Sequence, residues 1–201
     1  MDKGQVVLLT HLDLSAAFDT VDHTLLISRL TKSFGIEGNA IKWITSYLTG
    51  RSQFVSLKGA KSNSTILECC VPQGSLLGPG FYSDYTSPLG NLLRILMLLF
   101  HFYAPNNQNE QVQAAKTLES NIGQISKWMH DNKLKLNSDK TEFLVIGLKK
   151  QRNKVIINSL NLEGEIIHSV KSVRNLGVYT DNQLDLKDHV SHVTKICYQQ
   201  I

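Results

Sequence analysis

The residues Leu12-Asp13-Leu14-Ser15-Ala16-Ala17-Phe18-Asp19-Thr20-Val21-Asp22-His23 hold the clearest chemical potential of the chain. Asp13 follows the apolar run Val6 to Leu9, which reads as a buried strand. A carboxylate at the lip of such a strand is costly unless it is paired or holds a cation. Catalytic metal sites are often built in this way, but a single carboxylate rarely suffices. Asp19 and Asp22 are better placed to cap the following helix than to ligate metal. His189 and His192 share a helix face with Cys197 nearby, yet no second pair at zinc-like spacing accompanies them. A solvated helix face is the favoured reading there.

The elements that must position Asp13 follow from apolar periodicity. Asp22 caps a helix carrying Leu25, Leu26, Leu30 and Phe34, which Gly35 stops. A second helix presents Ile41, Ile44, Tyr47 and Leu48 and ends at Gly50. Residues 53–57 and 65–67 pair as a hairpin around a turn at 59–64. Val71-Pro72-Gln73-Gly74-Ser75 is a loop, and a helix runs from Pro79 towards Leu93. Residues 95–103 read as a strand, followed by a polar break at Pro105-Asn106-Asn107. Val112, Ala115, Leu118, Glu119, Ile122, Ile125 and Met129 trace a long helix. Residues 143–146 form a strand, and 155–157, 166–167 and 176–179 suggest a further small sheet. Leu186, Val190, Val193 and Cys197 mark a last helix. Strands and helices without regular alternation make the fold class α+β.

Composition narrows the function classes. Hydrophobic residues are 42% of the 201 and charged residues 19%, which excludes a disordered chain. A net charge of +4 is compatible with a polyanionic partner without requiring one. The densest basic run is Lys149-Lys150-Gln151-Arg152-Asn153-Lys154, more simply a solvated loop between strands. Three cysteines, Cys69, Cys70 and Cys197, form no disulfide framework and favour a reducing compartment, nuclear or cytoplasmic, with no disulfide-linked partner. Cys69-Cys70 reads as the end of a buried strand. No signal peptide is evident, and the stretch Leu92 to Phe102 is too short for a membrane span.

Four segments together resemble reverse transcriptases of non-LTR, LINE-like retrotransposons. Residues 12–19 resemble that family's first catalytic motif, and Val71-Pro72-Gln73-Gly74-Ser75-Leu76-Leu77-Gly78-Pro79 its second. Leu134-Lys135-Leu136-Asn137-Ser138-Asp139-Lys140-Thr141-Glu142 resembles the fourth, and Asn175-Leu176-Gly177-Val178 the fifth. They occur in the family's order over nearly the whole chain. The resemblance implies a partial reverse transcriptase domain over 1–201: a palm of antiparallel sheet packed on helices, with the thumb starting at about 184–201 and fingers and thumb incomplete. It implies RNA-templated DNA synthesis on an RNA template and DNA primer through two divalent cations, about 4 Å apart. Asp13 and the Leu14 carbonyl would ligate Mg²⁺, and Lys140 would protonate the leaving pyrophosphate. Phe18 would screen the incoming sugar, Gln73 and Gly74 would face the template nucleotide or incoming base, and Leu176 and Gly177 would grip the primer.

One motif is missing. The family's third motif, Tyr-Ala-Asp-Asp, lies at a hairpin turn, whereas here Tyr103-Ala104 runs into Pro105-Asn106-Asn107. A deletion of about ten residues, one short strand with its turn, accounts for this. Neutral asparagine cannot supply the charge that offsets two Mg²⁺ ions, which counts against metal binding and predicts an inactive polymerase. Loss of the return strand should also bare a sheet edge. A nucleic-acid-binding remnant without chemistry and a translated pseudogene without function are the alternatives.

Overall fold

The computed structural model describes residues 4–95, 100–103, 105–175 and 177–199. They divide into two compact units, Met1–Asp13 with Leu93–Ser126 and Leu136–Ile201, and Leu14–Leu92 with Lys127–Lys135. The helices are α1 (His23–Lys32), α2 (Gly38–Leu48), α3 (Gly78–Ile95), α4 (Gln108–Asp131), α5 (Lys149–Arg152) and α6 (Lys187–Gln199). The mixture without regular alternation is the α+β arrangement that the sequence predicts.

A five-stranded sheet organises the first unit. Its strands are β1 (Val6–His11), β2 (Phe100–Tyr103), β3 (Glu142–Ile146), β4 (Ser159–Leu162) and β5 (Glu165–Val170), in the order β4-β5-β3-β1-β2. All pairs are antiparallel except β5 with β3. Both faces of β1 are covered, which explains its unbroken apolar run. Val6 and Leu8 join Tyr103, Phe143 and Leu160 in a cluster with Ala114, Leu118 and Ile122 of α4. Val7 and Leu9 join Leu144, Ile146 and Val173 on the opposite face. Val173 belongs to β6 (Ser172–Asn175), which forms a hairpin with β7 (Val178–Asp181).

Several expectations change here. Ile95 ends α3, the strand begins at Phe100, and residues 96–99 lie outside the described ones. Residues 155–157 are not a strand: Gln111 takes the Ile156 N–H at 2.8 Å, so this backbone bonds to a side chain instead of a ladder. Residues 166–167 join the main sheet, while β6 and β7 form a separate two-stranded pair. Val112 is exposed, whereas Gln111 is fully buried on α4. Its Nε2 donates to the Pro105 carbonyl at 2.7 Å and the Lys154 carbonyl at 3.0 Å. A glutamine that meets three backbone groups can be buried at little cost, a substitution for apolar contact that periodicity does not register.

The second unit begins at the Asp22 cap, whose carboxylate accepts the Leu25 N–H at 2.8 Å. At the other end of α1, Ile36 N–H meets the Leu30 carbonyl and Gly35 N–H that of Thr31, with Gly35 at φ +66. The Gly35-to-Thr31 bond is a five-to-one closure, which requires the left-handed residue that glycine supplies. Leu26 and Leu30 are buried, while Phe34 is exposed beyond the last turn. In the hairpin, Ser52–Gln53 pairs with Thr65–Ile66 and Ser56–Leu57 with Ala60–Lys61. The tip is therefore Lys58-Gly59, both at positive φ, and not the longer 59–64 turn. Cys69 is not the end of a buried strand. It is exposed, in an isolated bridge with Asp22, and Cys70 has φ +90. All three cysteines are free. Arg29 lies over the rings of Tyr85 (4.7 Å) and Trp128 (5.6 Å) and donates to the Tyr85 carbonyl and Asn132 Oδ1. One cation thus joins α1, α3 and the end of α4. Among the described residues, no helix is long and apolar enough to cross a membrane.

Candidate active site

Asp13 lies two residues past the end of β1, at the mouth of a cleft of about 400 Å³ lined by His11, Asp139, Lys140, Glu142, Arg174 and Asn175. Its main chain is fixed by the fourth motif: Asn137 N–H donates to the Asp13 carbonyl at 2.9 Å. A 3₁₀ turn over Ser138–Lys140 follows, closed by Thr141 Oγ1 donating to the Asn137 carbonyl at 2.8 Å. That turn brings Lys140 Nζ to 3.7 Å from Asp13 Oδ2. The two side chains are 70% and 48% exposed, so the pair contributes at most about 1 kcal/mol. The Asp13 carboxylate is thus half in water, with the lysine beside it.

The β6–β7 hairpin brings Arg174 and Asn175 to the same cleft. Asn175 pairs with Val178, leaving residues 176 and 177 as the connection, and Gly177 takes φ +87 there. Leu176 lies outside the described residues. Arg174, whose guanidinium sits 5.7 Å from the Tyr179 ring centre, carried no sequence signal because its role arises from the hairpin's fold.

In the second unit, the Phe18 segment and the second motif are joined directly. Val71 N–H donates to the Phe18 carbonyl and Cys70 N–H to that of Val21, both at 2.9 Å. The Phe18 ring packs on Tyr82 at 5.1 Å between centres. A Cβ at Gly78 would meet Val71 and Pro72 at 3.6 Å and Phe18 at 3.8 Å, ordinary contact distances. Gln73 is exposed at the tip of the loop, and Gly74 has φ +80 with open space around it. Glycine is required there by backbone conformation. Ser75 anchors the loop: its hydroxyl lies 2.7 Å from that of Tyr47 and accepts the Leu77 N–H at 3.2 Å. Only the fold reveals that anchor. Asp13, Lys140 and Gly177 therefore belong to the first unit, and Leu14, Phe18, Gln73 and Gly74 to the second.

At the third motif, β2 runs antiparallel to β1 with Tyr103 opposite Val6 and Phe100 opposite Leu9. The strand leads, over residues 104–107, into α4. Asn107 caps that helix, its Oδ1 accepting the Asn109 N–H at 3.0 Å and its Nδ2 donating to Glu110 Oε1 at 3.0 Å. Asn107 is thus a helix cap, and Glu110 is its partner. The basic run is partly occupied: Arg152 Nε donates to the Gly147 carbonyl and Lys154 Nζ to Asn106 Oδ1. His192 packs on Tyr179 at 4.8 Å.

The residues present do not fit a two-cation centre. Among those described, no three His, Cys, Asp or Glu side chains converge as metal ligands, and an ammonium faces Asp13. Two Mg²⁺ ions need several oxygen ligands of net negative charge at about 2.1 Å.

The chain belongs to the reverse transcriptase (RNA-dependent DNA polymerase) family, which matches residues 1–180. It is 29% identical over 203 residues to the probable RNA-directed DNA polymerase from transposon BS of Drosophila melanogaster, covering 94% of this chain and 22% of that protein. It is 23% identical over 203 residues to the RNA-directed DNA polymerase from mobile element jockey of the same species, covering 96% of this chain and 22% of that one. The chain thus spans about a fifth of the curated relatives it matches. Among solved structures, apo telomerase from Candida tropicalis truncated from its C-terminal domain shares the fold. The TM-score is 0.55 at 15% identity, over 90% of this chain and 35% of that one.

Proposed function

We propose that this chain is a reverse transcriptase palm that no longer carries out nucleotidyl transfer. The observation that carries the proposal is the register of β2, with Tyr103 opposite Val6, at the end of β1 away from Asp13. The residues that take the place of the third motif follow Tyr103 directly and pass into the cap of α4. Asp13 is left with Lys140 for its partner.

On this reading Asp13 and the Leu14 carbonyl are the remnant of the metal site, and Lys140 is the remnant of a leaving-group acid. Phe18 keeps its place against the second motif, with Gln73 and Gly74 at the loop tip as the contact for a template or incoming base. Gly177 at the hairpin turn, with Leu176 as its partner in the motif, would meet a primer. RNA template and DNA primer are the partners that the family supplies, and three free thiols fit an intracellular location. Primer extension on an RNA template with Mg²⁺ tests the reading. Product no greater than that of Asp13→Ala is expected, and extension that Asp13→Ala abolishes would overturn it.

A further inference from the structure

Most of the chain is electrically balanced. Residues 38–66, which are α2 and the hairpin after it, carry Lys42, Arg51, Lys58 and Lys61 and no Asp or Glu. Those four cations equal the whole net charge of +4. Residues 49–66 are exposed throughout. Positive charge gathered on one exposed segment is the electrostatic footprint of a polyanion.

The same segment sets aromatic rings beside these cations. Trp43 is 57% exposed and stacks on Tyr47, with 5.6 Å between ring centres and 12° between planes. Arg51 lies over the Tyr47 ring at 5.5 Å. On the hairpin, Phe54 is 52% exposed, and Lys61 Nζ lies 5.0 Å from its ring centre. Tyr47 is itself anchored. Its hydroxyl lies 2.7 Å from that of Ser75, and its ring packs on Phe81 of α3 at 6.2 Å. The Trp43 indole is therefore held in one orientation, which lowers the ordering cost of receiving a flat ligand. An apolar partner would bury these cations without a counter-charge, which is costly.

We propose that Trp43 and Phe54 are stacking sites for the bases of an unpaired nucleic-acid strand, with Lys42, Arg51, Lys58 and Lys61 meeting its phosphates. Every base has a face that can stack on an aromatic ring, and unpairing makes that face accessible. None of these residues belongs to the motifs around Asp13, so the site does not depend on whether nucleotidyl transfer survives.

Fluorescence titration in EDTA with an RNA strand of about twelve nucleotides tests the assignment. EDTA keeps divalent cations out, so this result and that of primer extension are separate. Binding should quench Trp43, whereas Trp43→Ala, which retains only Trp128, should show no quenching. By anisotropy of a labelled strand, Trp43→Ala should bind at least about fivefold more weakly, and Trp43→Phe within about twofold of the unaltered chain. A duplex of the same sequence should bind at least about tenfold more weakly than the single strand. Lys58→Gln combined with Lys61→Gln should reduce the salt slope by about 1.4. Unchanged affinity of Trp43→Ala, equal affinity for the duplex, or quenching that persists through Trp128 each overturns the proposal. Tighter binding to phosphatidylserine vesicles than to RNA would assign the segment to a membrane surface and overturns it too. Where Trp43→Ala does not unfold cooperatively, the duplex comparison and the salt slope decide.

Discussion

Restoring the two missing aspartates alone should not restore a metal site. Consider insertion of Asp-Asp after Ala104. Tyr103 lies opposite Val6, and β1 continues to His11 before Asp13 is reached. Five steps at about 3.4 Å put roughly 17 Å between the level of Tyr103 and that of His11. Two catalytic cations about 4 Å apart cannot bridge that gap. Insertion of Asp-Asp together with a return strand of about five residues is different. The new strand could take the place beside β1, and the turn before it would then lie at the Asp13 end. Mn²⁺ titration followed by electron paramagnetic resonance distinguishes these cases. The native chain and the two-residue insertion should agree within about twofold. The hairpin insertion should bind at least about tenfold more tightly, or 1.4 kcal/mol. Asp13→Asn should remove that gain. If the two-residue insertion alone produced an Asp13-dependent gain, the register argument would fail.

Two further outcomes concern the core. Gln111→Ala leaves two carbonyls and one N–H without their partner, and at about 1 kcal/mol each should lower stability to urea by about 3 kcal/mol; a loss under about 1 kcal/mol would show that these groups are re-satisfied. Burial raises the Tyr103 hydroxyl from 10.0 to about 12. The folded state then holds this proton more tightly than the unfolded chain, so its contribution is complete below pH 10 and is lost as pH rises to about 12. Absorbance at a tyrosinate wavelength should show Tyr103→Phe removing one late-titrating group, and an unchanged titration curve would count against its burial.

Local chemistry made much of the molecule legible. The Val6–Leu9 run gave a strand buried on both faces, because only two covered faces tolerate four successive apolar side chains. Asp22 and Gly35 marked the ends of α1 through cap geometry that depends on few neighbours. The motif around Phe18 was readable, whereas its union with residues 70–71 came from the fold. Where the reading failed, a distant partner had changed the local preference. Residues 155–157 look like a strand, but Gln111 claims their backbone. Glu119 sits in an otherwise apolar stripe because it serves β4, forty-two residues away in sequence.

The sequence by itself determined the family, since motif identity and order are one-dimensional properties, and it determined that the paired aspartates are missing. Only the tertiary structure decided how β2 and Asp13 are placed. The direction of β2 against β1, the Glu119 bond to β4 and the Lys140 ammonium beside Asp13 depend on which strands pair and in what register. Register is a property of two segments at once, so neither segment's sequence holds it alone.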